Sequence, residues 1–96
     1  MEEIRMNKQE CKKYLRKAFK RLKMQKKSIN PQNIAYELVD VSENQMMIYI
    51  AYSKIAVNNM INSGNIEICI NDLLAQIDIL PEIYPIGKAI EVANKL

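Results

Sequence analysis

The sequence predicts an all-α protein: a compact bundle of four to five helices around a central apolar helix spanning about residues 43–62, with a long basic amphipathic helix at the N-terminal end. Three observations lead there. Apolar residues recur at helical spacing along most of the chain. Only two Gly and three Pro interrupt 96 residues, which favours long regular elements. The breaks that do occur, at "SINP", "DVSENQ" and Gly64, have the chemistry of helix caps. A chain of this length suits one helical domain, 1–96, with a basic helix over 1–27 and a mildly acidic helical core over 28–96.

The first helix is expected from about Glu3 to Lys27. At roughly 100° per residue, Ile4, Cys11, Tyr14, Leu15, Ala18, Phe19 and Leu22 share one side. Lys12, Lys13, Arg16, Lys17, Lys20, Arg21, Lys23 and Lys27 fill most of the other. Glu2 and Glu3 suit the positive end of a helix dipole, and Lys26 and Lys27 the negative end. About 25 residues would make a rod ~37 Å long, longer than any other helix here, so part of it should project or pack on a second copy.

Asn30 before Pro31 reads as an N-cap with proline in the first turn, so a short second helix should run from Pro31 to about Val39. Its inward residues would be Ile34, Leu38 and Ala35. Ser42 and Gln45 have the spacing of a capping box, which starts the third helix at Glu43. That helix should end near Asn62, with Gly64 in the left-handed turn. Met46, Met47, Ile48, Ile50, Ala51, Ile55, Ala56, Val57, Met60 and Ile61 make it apolar nearly all round, the mark of a helix enclosed by others.

"NIEICINDLLAQIDIL" is ambiguous. Ile66, Ile68 and Ile70 alternate as in a strand, yet Ile66, Ile70, Leu73, Leu74, Ile77 and Leu80 trace one helical face. The longer pattern predicts a fourth helix over about Ile66–Leu80, closed by a turn between Pro81 and Pro85. A fifth follows from Ile86, with Ile86, Ala89, Ile90 and Ala93 inward.

Charge is the strongest functional signal. Residues 11–27 hold nine Lys or Arg and no acid. Residues 1–27 carry +8 and residues 28–96 carry −5, which the net charge of +3 conceals. Eight cations on one helical face repel one another unless an anion arrives, and a purely structural helix would more often intersperse Glu.

Other classes find little support. The chain has no His, the commonest general base and metal ligand, so no enzyme activity, metal or cofactor is expected. Cys11 and Cys69 match no metal or redox spacing, and Cys11 lies on the apolar stripe as a small core residue would. Glu67, Asp78 and Asp72 read as a solvated helix face. No run approaches the ~20 apolar residues of a membrane span, and no apolar segment follows the basic stretch before Ser28 as a signal peptide requires. With two unpaired thiols, a cytoplasmic setting is expected. Abundant Ile, Asn and Lys fit a low-GC bacterium, or a phage or plasmid within one.

The segment "NIAYELVDVSENQMMIYI" resembles the helix-turn-helix of bacterial DNA-binding regulators in Ile34, Ala35, Leu38, Val41 and Ser42, over about a fifth of the chain. The resemblance implies a third helix entering the major groove. The pattern departs from the family in three ways: its turn has one residue too many, it lacks the usual glycine, and Ser42, Glu43, Asn44 and Gln45 bring no Arg or Lys to the first turns. Capped helices joined by a tight turn account for the same residues.

The expected function is therefore binding of nucleic acid, DNA or RNA, through the basic face of the first helix, as a small regulatory or accessory protein. The alternative is a protein-interaction module of the inhibitor or immunity type, docking its cations on an acidic surface of a larger protein.

Overall fold

In the computed structural model, which describes residues 6–38, 43–64 and 67–96, five α-helices and no strand are present among the described residues. They are α1 (Lys8–Met24), α2 (Pro31–Glu37), α3 (Glu43–Asn62), α4 (Ile70–Ile83) and α5 (Ile86–Ala93). The all-helical bundle is as expected, and several boundaries differ for local reasons.

α1 is shorter than its periodicity allows. Asn7 caps it, its side chain accepting the Glu10 N–H at 3.0 Å, so the helix begins at Lys8 rather than near Glu3. Ile4, Glu2 and Glu3 lie outside the described residues. At the other end the Lys27 N–H bonds to the Leu22 carbonyl and the Lys26 N–H to that of Lys23, the paired bonds of a Schellman motif. The motif needs one left-handed residue, and here it is Lys26, at φ 57°. The remaining 17 residues make a helix of ~25 Å. Cys11, Leu15, Ala18 and Leu22 are buried along its length, so no described part of α1 overhangs the bundle to require a second copy.

α2 starts as expected. The Asn30 side chain accepts the Asn33 N–H at 2.8 Å, Pro31 occupies the first turn, and Ile34 and Leu38 are buried. Val39 and Ser42 lie outside the described residues. The expected capping box is not completed from its far side: Gln45 Oε1 is buried and accepts no hydrogen bond. Gly64, at φ 79°, ends α3 as expected.

α3 is the central helix, packed on α2, α4 and α5, with side-chain contacts to α1. It is not enclosed all round. Met47 is 64% exposed and Ile61 42%, and Ile50 is only half-buried, so a narrow strip of α3 meets solvent. In compensation it buries Tyr49, Tyr52 and Ser53 completely, three polar residues that read as interruptions in the sequence. The Tyr52 hydroxyl donates to the Tyr84 carbonyl at 2.6 Å, and Ser53 Oγ lies 4.0 Å from Cys11 Sγ. The exposed residues of that strip, Met47 and Ile61, are apolar, while Ser42 and the side chains of Glu43 and Asn44, where the helix-turn-helix resemblance would place base contacts, lie outside the described residues.

α4 begins four residues later than expected. Cys69 is extended and caps it without a side-chain bond, while Leu73, Leu74, Ile77 and Leu80 form the buried face. Ile66 lies outside the described residues, and Glu67–Cys69 is neither strand nor helix. Nor does Pro81 stop α4, which continues to Ile83. One missing N–H in the last turn is tolerable because the helix ends within three residues. Pro85 then caps α5, where Ala89 and Ala93 are buried and Ile86 and Ile90 half-buried.

Candidate nucleic-acid interface

α1 lies between α2 on one side and α4 on the other. Its inward stripe of Cys11, Leu15, Ala18 and Leu22 fixes the rotation of the helix, and the cations fall into three groups around what is left. On the α4 flank Lys12 is engaged: its Nζ lies 2.6 Å from one Asp78 carboxylate oxygen and 2.7 Å from the other. Lys8 on the same flank donates to the Asp78 carbonyl and stands 3.9 Å from Glu82. Lys23 is 3.8 Å from Glu67, with its Nζ 5.5 Å from the Phe19 ring centre.

On the α2 flank the Arg21 guanidinium donates to the Glu37 carbonyl at 3.3 Å, and the Gln25 amide reaches the Glu37 carboxylate at 3.5 Å. Between the flanks lie Lys13, Arg16, Lys17 and Lys20, continued past the helix end by Lys26 and Lys27. All six are exposed, and none makes a side-chain hydrogen bond or ion pair among the described residues. Lys13 and Lys17 hold their Nζ atoms 6.0 and 5.8 Å from the Tyr14 ring centre, which keeps both stems against the helix while the charges face water.

Of the eight cations expected to form the interface, five (Lys13, Arg16, Lys17, Lys20 and Lys27) thus belong to the unpaired stripe. Lys12, Arg21 and Lys23 are tied at least partly to neighbouring helices or loops. Lys26 joins the stripe although periodicity alone did not include it. Its left-handed backbone is costly for a residue with a Cβ, about 1–2 kcal/mol.

Beside the C-terminal half of the stripe are two adjoining clefts of about 300 and 390 Å3. Both are walled by Lys23, Glu67 and Ile68; the first adds Lys27, Ser28, Ile29 and Ile61, the second Phe19, Cys69 and Ile70. No sequence pattern announces them, because they join segments some forty residues apart.

The buried groups elsewhere are chemically quiet. Burial pushes the Cys11 thiol up to about 12, against a weaker opposing effect of the Ser53 hydroxyl, so it stays protonated. Burial also raises the Tyr49 hydroxyl to about 12, with the Glu10 carboxylate adding to the effect by its charge and its nearness to the hydroxyl, although the two do not form a hydrogen bond of good geometry. Among the described residues no group of side chains could hold a metal ion, and no helix is long and apolar enough to cross a membrane. Compared with known proteins, the chain matches no family model, no curated protein and no solved structure.

Proposed function

We propose that this protein binds nucleic acid through the outer face of α1, without a catalytic step or a cofactor. The observation that supports the reading is the sorting of the cations. Where α1 meets its neighbours, Lys12 and Lys23 are matched by Asp78 and Glu67; along the outward stripe six exposed cations have no counter-charge among the described residues. Such a row of like charges is unfavourable to the fold alone and favourable to a polyanion, whose condensed counterions it displaces.

The test is binding to random-sequence DNA and RNA across a salt series. Six phosphate contacts give a slope of about −5 for log K against log salt on duplex DNA, and about −4 on a single strand. Replacing Lys13, Arg16, Lys17 and Lys20 together with Glu abolishes the binding and leaves the melting temperature nearly unchanged, since exposed charges contribute little to stability.

The second reading, docking on an acidic protein surface, draws on Met24, which is 75% exposed beside the stripe and would suit a drier interface. No affinity for either nucleic acid at low salt, together with loss of a protein partner by the quadruple variant, would decide for it.

A further inference from the structure

On the basis of that reading of the stripe, we infer that the ligand is single-stranded nucleic acid and that one of its bases enters the cleft between α1 and residues 67–70. The stripe runs into the clefts, because Lys27 at its end lines the first of them and Lys23, beside Lys27, lines both. A strand whose phosphates follow Lys13, Arg16, Lys17 and Lys20 arrives at Lys27 with a base beside the opening. The interior suits a base: the Phe19 ring and Ile29, Ile61, Ile68 and Ile70 offer apolar surface for its faces, and Ser28 and Glu67 polar groups for its edge. The two adjoining clefts, about 300 and 390 Å3 and both open to solvent, each have room for a base.

Duplex fits the same surface poorly for two reasons. A major groove ~12 Å wide admits one bare helix. α1 is instead embedded, with α2 and α4 alongside at the ~8–10 Å spacing of packed helices. The flanks also lack the stripe's surplus of positive charge, because Glu37 stands beside Arg21 on one side and Asp78, Glu82 and Glu67 beside Lys12, Lys8 and Lys23 on the other. A second strand laid across either flank finds charge-balanced surface and gains little, whereas a single strand can follow the unpaired cations between them.

The Lys23–Glu67 pair spans the cleft wall with both side chains well exposed, and such a pair is easily opened. Entry of a base frees Lys23 for a phosphate and leaves the Glu67 carboxylate to accept a hydrogen bond from an exocyclic amino group. Cytosine N4 is the usual donor to a carboxylate, so cytosine is favoured over thymine or uracil, which carry no amino group.

The experiment uses the full chain and fluorescent oligo(dC), oligo(dT) and mixed duplex, each of about 12 nucleotides, within the ~4–16 that a small single-strand site covers. Cys69 is exposed and lines the cleft while Cys11 is buried, so N-ethylmaleimide alkylates Cys69 alone in the folded protein and fills the opening. Oligo(dC) is expected to bind at least about tenfold more tightly than duplex, and alkylation to remove about that factor, the size of one lost base stack.

Glu67→Gln, an exposed change harmless to folding, is expected to abolish the preference for oligo(dC) over oligo(dT); this arm holds even if alkylation disturbs the bundle. Equal or tighter binding of duplex, or a dC preference untouched by Glu67→Gln, overturns the inference while leaving the stripe as a general polyanion site. Failure of all three probes to bind at low salt overturns the stripe itself.

Discussion

Lys12 Nζ and the Asp78 carboxylate are 2.6 Å apart, and this contact divides the cations of α1 into those that hold the bundle and those that face outward. Lys12 and Lys13 are adjacent in sequence and chemically identical, yet only Lys13 keeps an uncommitted charge. Lys13→Gln should therefore flatten the salt slope of nucleic-acid binding by about 0.7 units on a single strand, or about 0.9 on duplex, whereas Lys12→Gln should flatten it far less. Asp78→Asn should strengthen binding by releasing Lys12 and removing a negative charge from the flank. Anisotropy titrations at several salt concentrations measure all three. Equal effects at positions 12 and 13 would show that the pairing has no bearing on the interface.

Lys26 sits where a helix C-terminus favours glycine. Lys26→Gly should raise stability by about 1 kcal/mol by relieving the left-handed backbone, less the entropy glycine adds to the unfolded chain. The same change should weaken nucleic-acid binding. Chemical denaturation and a salt titration on one variant check both. A variant that is more stable and binds unchanged would mean that the lysine charge is idle.

Tyr49 and Tyr52 are both fully buried and differ only in what the hydroxyl meets. Tyr52→Phe loses the bond to the Tyr84 carbonyl and should cost about 1 kcal/mol. Tyr49→Phe removes a buried hydroxyl that makes no hydrogen bond of good geometry and faces only the Glu10 carboxylate, and should be neutral or stabilising by up to about 1 kcal/mol. Denaturant midpoints compared at constant slope give the answer; a larger loss at Tyr49 than at Tyr52 would contradict the hydrogen-bond assignment.

Stability should fall at alkaline pH. The Cys11 thiol ionises near 9.0 when unfolded and near about 12 when folded, so the unfolded chain gives up this proton first. The thiol's contribution is complete below pH 9.0, shrinks as pH rises through the interval and is lost by about 12, an effect of up to roughly 4 kcal/mol. Tyr49 acts in the same direction from 10.0 upward. Melting of the parent and of Cys11→Ala across about pH 8–11 tests this, since the variant should show a shallower decline. Parallel curves would exclude the thiol as the cause.

Burial along α3 gives the last contrast. Val57→Asp places an unpaired carboxylate in a fully buried position and should unfold the domain, costing several kcal/mol of a typical ~5–15. Ile50→Asp, at a half-buried position, should lower the melting temperature without abolishing the cooperative transition. Circular dichroism melts distinguish the two, and a well-folded Val57→Asp would disprove the central placement of α3.

The inward face of each helix was legible in one dimension because periodicity is a local property: Leu15, Ala18 and Leu22, or Leu73, Ile77 and Leu80, must share a side of any helix that contains them. Caps were legible for the same reason, and Asn30 behaves as its neighbour Pro31 implies. The Asn7 cap could have been read as well, since Asn followed three residues later by Glu10 is a helix-start signature; the longer run of periodicity obscured it.

What only the tertiary structure decided is which identical side chains meet a partner. Lys12 finds Asp78 sixty-six positions away, and Phe19 comes to share a cleft with Glu67 and Ile68, because α4 packs along α1. Tyr49, Tyr52 and Ser53 are buried for a similar reason: helices converge on α3 from several sides, and the position of a residue in the bundle outweighs its polarity in the sequence. Positive charge on α1 is thus a property of the sequence. Its division into paired flanks and an unpaired stripe exists only once α2 and α4 have packed on either side, since Coulomb attraction at contact distance depends on neighbours in space and not on neighbours in the chain.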